Sequence, residues 1–245
     1  MRFAPLIFAL LSFGCDQSAP TAPSAITLPH DVAGSGIVRG AVKFFGTPPV
    51  MNVIQANDPC CQGEPKILEQ TVVVNPNQTL RNVIVYLEGA PATDGSWRSP
   101  ELVDQVRCTY TPHVLAIQAG QPLRVRSSDP TLHNVHYNPQ LNRAANLAMT
   151  AAGAETTIRF DQPEFIRLKC DVHPWMNAWV GVFEHSFFSV TADSGEFEIK
   201  GIPAGTYTLV AWHELYGKQK QAVTITNDQM AEFEFRFGTP NAVAG

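Results

Sequence analysis

From Gly36 onward the chain shows almost no helical period; short β-prone runs follow one another, each closed by turn-forming residues. Val38–Phe44, Arg81–Leu87, Leu123–Ser127, Glu164–Lys169, Thr206–His213 and Ala231–Phe237 are rich in Val, Ile, Phe and Thr, which fit a pleated surface. Asn75-Pro76-Asn77, Ala119-Gly120-Gln121-Pro122 and Pro203-Ala204-Gly205 punctuate them. The stretch 142–149 alone allows a short helix. Many short strands at regular spacing predict an all-β protein of sandwich or barrel type. A hydrophobic fraction of 44% is enough to fill its cores. Long loops and all the cysteines precede His185, and tight cysteine-free strands follow it. Two sandwiches in series are therefore expected, over 36–184 and 185–240.

The N-terminus is organised differently. Arg2 precedes a short apolar run, Phe3 to Leu11, and Ser12-Phe13-Gly14 leads into Cys15. The run is too short for a stable membrane span and has the anatomy of an export signal over 1–15. Gly14-Cys15 resembles the lipobox of bacterial lipoproteins, which implies lipidation at Cys15, a membrane anchor and residence in the periplasm or at the cell surface. Residues 16–35, rich in Ser, Ala and Pro, read as a disordered tether. The formal net charge of −5, with no Lys/Arg cluster, speaks against nucleic acid as a partner.

One stretch carries chemistry. Cys170-Asp171-Val172-His173-Pro174-Trp175-Met176 offers a thiolate, an imidazole and a thioether on one short loop after a strand. Soft sulfur selects copper(I), and imidazole serves copper in either oxidation state. A second imidazole comes from Asp129-Pro130-Thr131-Leu132-His133-Asn134, a polar turn after the strand Leu123–Ser127. His133, Cys170 and His173 would form the trigonal plane of a type 1 copper site, with Met176 as the weak axial ligand. A buried free cysteine with structural His and Met neighbours is the plain alternative, and it leaves the His133-Asn134 turn unexplained. Structural zinc sites prefer several Cys or His ligands and seldom use Met. His136 is three residues beyond His133, so on a strand it faces the other way, and a bent turn would bring it in as a variant ligand.

With these residues in view, the run from Tyr110 to Asp129 followed by His133-Asn134-Val135 resembles the first-histidine half of the plastocyanin/azurin family, the cupredoxins. The Cys170–Met176 loop resembles that of amicyanin. The resemblance implies a Greek-key β-sandwich holding one type 1 copper, and single-electron transfer with redox partner proteins such as cytochromes or membrane oxidoreductases. It implies that Asn134 ties the two ligand loops together and that His173 lies at a hydrophobic surface through which the electron passes. Trp175 and Trp179, read from the residues alone, are expected to cover the metal, a role compatible with plain core packing. In 185–240, Gly195-Glu196-Phe197-Glu198-Ile199 and Ile202-Pro203-Ala204-Gly205-Thr206-Tyr207 resemble the carboxypeptidase regulatory-like, or transthyretin-like, domain, a smaller β-sandwich that performs no chemistry.

Three cysteines remain. Cys60 and Cys61 are adjacent, with Cα atoms about 3.8 Å apart, below the usual disulfide range. One of the two is expected to bond Cys108. The reading as a whole is a copper protein that is not an enzyme. Its rivals are a copper carrier or sensor, a multicopper reductase using His113, His136, His185 and His213, and a structural surface protein.

Overall fold

The computed structural model describes residues 34–95, 97 and 101–238. The export signal, Cys15 and the tether lie outside the described residues. In chain order the strands are β1 (Gly36–Phe45), β2 (Ile84–Glu88), β3 (Glu101–Val106), β4 (Thr109–Thr111), β5 (Val114–Gln118), β6 (Leu123–Ser127), β7 (His133–Tyr137) and β8 (Ala145–Met149). There follow β9 (Glu155–Ile158), β10 (Phe165–Lys169), β11 (Asn177–Phe183), β12 (Phe188–Val190), β13 (Glu196–Ile202), β14 (Gly205–His213), β15 (Gly217–Ile225) and β16 (Met230–Gly238). The stretch 142–149 contributes β8 rather than a helix, because its residues pair with β7 from His133↔Met149 to Tyr137↔Ala145.

The strands form four sheets: β5-β11-β10-β7-β8, β4-β3-β6-β9, β13-β1-β16 and β12-β2-β14-β15. The first two enclose one core, which includes Val103, Ile117, Leu123, Val125, Val135, Ile166, Leu168 and Val180. The last two enclose another, which includes Val38, Val42, Val85, Leu87, Phe197, Leu209, Val223 and Phe235. Alternation along each strand sends successive side chains to opposite faces. In β2 and β14 both faces are covered: Val85, Leu87, Leu209 and Ala211 enter the second core, while Ile84, Tyr86, Val210 and Trp212 face Val114 and Phe183 of the first sandwich. That third cluster joins the two sandwiches.

The seam at residue 185 does not follow the sheets. β1 pairs antiparallel with β13 and parallel with β16, and β2 pairs with β12 and β14. The chain thus begins in the second sandwich, builds the first with β3–β11, and returns. Strand composition marks where a strand lies but not which distant strand it meets. Gly40 records how close that meeting is: a Cβ there would lie 1.8 Å from the Phe233 carbonyl oxygen.

Between β1 and β2 the chain leaves the second sandwich and crosses the end of the first. Its crossing is braced by a bridge between Val53 and Leu68 and by a 3-10 turn at Pro59–Cys61, capped by the Asp58 carboxylate accepting from the Cys60 N–H at 2.8 Å. Cys61 is bonded to Cys108, with Cα atoms 5.4 Å apart, and Cys60 is a free thiol.

Candidate metal centre

β7 opens with His133, and β10 ends immediately before Cys170. These neighbouring strands, paired at Lys169↔His136, bring the two ligand segments together. The loop from Cys170 to Met176 closes on itself: Cys170 N–H donates to the Met176 carbonyl at 3.1 Å, and Met176 N–H to the His173 carbonyl at 2.9 Å. His133, Cys170, His173 and Met176 are 0%, 2%, 1% and 1% exposed.

Three donors converge. His133 Nδ1 and His173 Nδ1 are 2.9 Å apart, and Cys170 Sγ is 4.0 and 3.9 Å from them. These separations would let one ion reach all three atoms at ordinary lengths for imidazole and thiolate ligands, about 2.0 and 2.3 Å. Met176 is buried on the same loop.

Both opposite ring nitrogens are occupied by carboxylates. His133 Nε2 faces Asp129 Oδ2 at 2.9 Å, and His173 Nε2 faces Asp58 Oδ2 at 3.2 Å. A carboxylate that accepts a hydrogen bond from Nε2–H fixes the tautomer and leaves the Nδ1 lone pair free for a metal. Asp129 is itself held by the N–H groups of Arg107 and Cys108, at 2.6 and 2.7 Å. Both of those residues have φ of 52°, a conformation costly for L-residues, and their charge-assisted bonds to Asp129 offset that cost.

Metal-free, these groups hold one another's charge. Burial pushes the His133 imidazolium down, but Asp129 and the Cys170 thiolate outweigh it and hold its pKa up at about 9. Burial likewise pushes the Cys170 thiol up, and hydrogen bonds from His133 and from the backbone of Asn134, His173 and Val172 outweigh it, lowering its pKa. Ligation of a metal here would require the thiolate and a neutral imidazole, and would displace the His133 proton.

Asn134 joins the two loops. Its side-chain oxygen accepts from Asp171 N–H at 2.7 Å, and its amide donates to Asp171 Oδ2 at 2.9 Å. His136 Nδ1 also bonds Asp171, at 2.8 and 2.9 Å, outside the donor cluster. With Asn134, Asn146 and above all His136 donating to it, the exposed Asp171 carboxylate has its pKa lowered to about 2. Trp175 packs 5.2 Å from the His173 ring and donates to the Cys108 carbonyl at 3.0 Å. Trp179 packs instead between the sandwiches, against Trp212.

The expected surface position of His173 is corrected. The segment carrying Asp58 and the Cys61–Cys108 bond covers its ring, and only the flanking Val172 and Pro174 reach solvent. Sequence reasoning missed Asp58 and Asp129 as partners of the ligand histidines. Asp129 lies four residues before His133, a legible spacing, but Asp58 carries no signal because it arrives from 115 residues away. The remaining histidines are each placed separately. His113 meets Glu214, and His185 and His213 accept from backbone N–H groups at 3.1 to 3.4 Å. None joins the groups of potential metal ligands among the described residues.

Residues 164–232, less than a third of the chain, match the family described as polysaccharide lyase family 4, domain II. This match crosses residue 185 and is not to the carboxypeptidase regulatory-like domain expected for the C-terminal strands. No curated protein matches the chain. Among solved structures it is similar to a copper-containing nitrite reductase from Thermus scotoductus, at 22% identity and a TM-score of 0.33, covering 39% of this chain and 24% of that one. It is similar to a purple cupredoxin from Nitrosopumilus maritimus, at 18% identity and a TM-score of 0.29, covering 34% of this chain and 98% of that one. It is also similar to the copper(I) form of an amicyanin variant, at 17% identity and a TM-score of 0.31, covering 40% and 97%. The donor geometry, not these partial likenesses, carries the functional reading.

Proposed function

We propose that this chain is an exported type 1 copper protein that carries single electrons between redox partner proteins, tethered to a membrane by lipid at Cys15. The observation that carries the reading is the convergence of His133 Nδ1, His173 Nδ1 and Cys170 Sγ, with both Nε2 atoms on carboxylates. Met176 completes the set, and the thiolate and thioether favour copper over zinc. Copper bound there supplies a one-electron couple.

The chain's own residues prepare that couple. Asp129 and Asp58 hold the two imidazoles in one tautomer and orientation. Asn134 locks the start of the Cys170 loop to β7. The sandwich fixes the ligands, so little has to move when the charge changes. Burial and the covering segment keep water from the donors. A site so enclosed favours retaining its metal over handing it on, which sets the electron carrier above the copper carrier or sensor.

The test is to express residues 16–245, which leaves out Cys15, add copper(II), and record the visible spectrum with metal analysis. An intense thiolate-to-copper band, one copper per chain and bleaching on reduction are expected. No band, or preferential uptake of zinc, would overturn the copper assignment.

A further inference from the structure

The ligand loop is anchored at both ends, and its far anchor is braced from the other sandwich. At the start, Asp171 N–H is held by Asn134. At the end, the carbonyl of Asn177, the residue after Met176, faces His113 Nδ1 at 3.0 Å. The opposite nitrogen, His113 Nε2, is in contact with Glu214 Oε1, and Trp179 Nε1 donates to Glu214 Oε2 at 3.0 Å. The His113 and Glu214 side chains are only 4% and 9% exposed. Glu214 lies in the turn between β14 and β15, strands of the second sandwich. That turn is shaped by His213 Nδ1, which accepts from Leu215 N–H at 3.1 Å and Tyr216 N–H at 3.4 Å.

A carbonyl oxygen faces one nitrogen of the His113 ring and a carboxylate faces the other, so the ring is held from both sides. The ring cannot turn without breaking both bonds. Removing the carboxylate leaves a buried ring nitrogen and the Trp179 indole N–H without a partner, which is costly. The sequence contains nothing that requires a second sandwich beside an electron-transfer site, yet the largely buried Glu214 carboxylate at this junction reaches, through His113, the residue next to Met176. A weak axial thioether is placed by its loop more than by its own bond, so it is the ligand most sensitive to a shift of the Asn177 backbone.

We propose that Glu214, acting through His113, is a positioning residue for the metal loop, so that the second sandwich sets the placement of Met176 and thereby tunes the centre. This rests on the copper reading for its redox consequence, but not for its structural one.

The experiment compares the wild type of the exported chain with Glu214→Ala, Glu214→Gln and Val190→Ala. Val190 packs against the same junction and takes no part in the hydrogen bonds of the relay, so it controls for general loosening. In the metal-free proteins, amide hydrogen exchange of Met176 and Asn177 should rise at least tenfold in Glu214→Ala, less in Glu214→Gln, which keeps one acceptor oxygen, and not in Val190→Ala. In the copper-loaded proteins, Glu214→Ala should change the relative affinity for the two copper oxidation states about tenfold, a midpoint shift of about 59 mV. His113→Ala should give a similar shift, and the double variant no more than either alone. Unchanged exchange and potential in Glu214→Ala, or equal changes in Val190→Ala, would overturn the proposal. A wild type that forms no copper chromophore would overturn the copper reading and the redox half of this one, while the exchange measurement still decides whether Glu214 positions the loop.

Discussion

Acid should destabilise this protein through His213, a histidine outside the groups of potential metal ligands among the described residues. His213 is fully buried, its Nδ1 accepts from two backbone N–H groups, and its Nε2 has no hydrogen-bond partner. The rings of Tyr216 and Phe237 lie 4.9 and 6.1 Å away. Burial lowers its pKa from 6.5 to about 4, with Glu214 pulling it up and His113 pushing it down. The unfolded chain takes up this proton near 6.5, whereas the folded chain does so only near 4. Between those values the unfolded state holds more protons, so stability is full above the window, falls as pH drops through it, and levels off below. A difference of about 2.5 units at 1.36 kcal/mol each amounts to about 3 kcal/mol. The perturbation is His213→Asn, whose amide oxygen replaces Nδ1 as acceptor and does not titrate. Urea unfolding of the metal-free proteins at pH 7, 6, 5 and 4.5 gives the two pH profiles. The wild type should lose about 2 to 3 kcal/mol more than the variant between pH 7 and 4.5. Parallel profiles would refute the reasoning and place the acid sensitivity elsewhere.

Three further outcomes are expected. Asp129→Asn should weaken metal binding about 10- to 100-fold by loosening the His133 tautomer, measured by competition with a chromophoric chelator; an unchanged constant would show that Asp129 serves the Arg107–Cys108 turn alone. Replacing Cys61 and Cys108 by Ser, which opens a link across 47 positions, should cost about 4 kcal/mol on the chain-entropy estimate. It should also expose His173 to solvent, read as faster self-exchange of electrons, and a slower or equal rate would show that the covering segment does not gate access. Cys170→Ser should abolish the charge-transfer band while Met176→Leu keeps it and raises the potential; a blue Cys170→Ser protein would remove the thiolate from the site.

Local pattern was enough for much of this molecule. Alternating apolar residues marked most strands, since a period of two is written within a few residues. β3 and β4 escaped notice: β3 opens on Glu101 and carries Asp104 and Gln105, and β4 is three residues long. The donors Cys170, His173 and Met176 were legible for the same reason, since one loop brings them together. His133 was legible from its turn and Asn134.

The sequence by itself therefore determined an all-β chain with a compact N/S donor loop, because both properties depend on neighbours along the chain. Tertiary structure decided what is distant in sequence. It put β1 and β2 in the second sandwich, laid Asp58 and the Cys61–Cys108 bond over His173, chose Cys61 rather than Cys60 as the bonded cysteine, and joined His113 to Glu214. None of these contacts leaves a local trace, because a residue's composition states what it can bond and only the closed fold states what it meets.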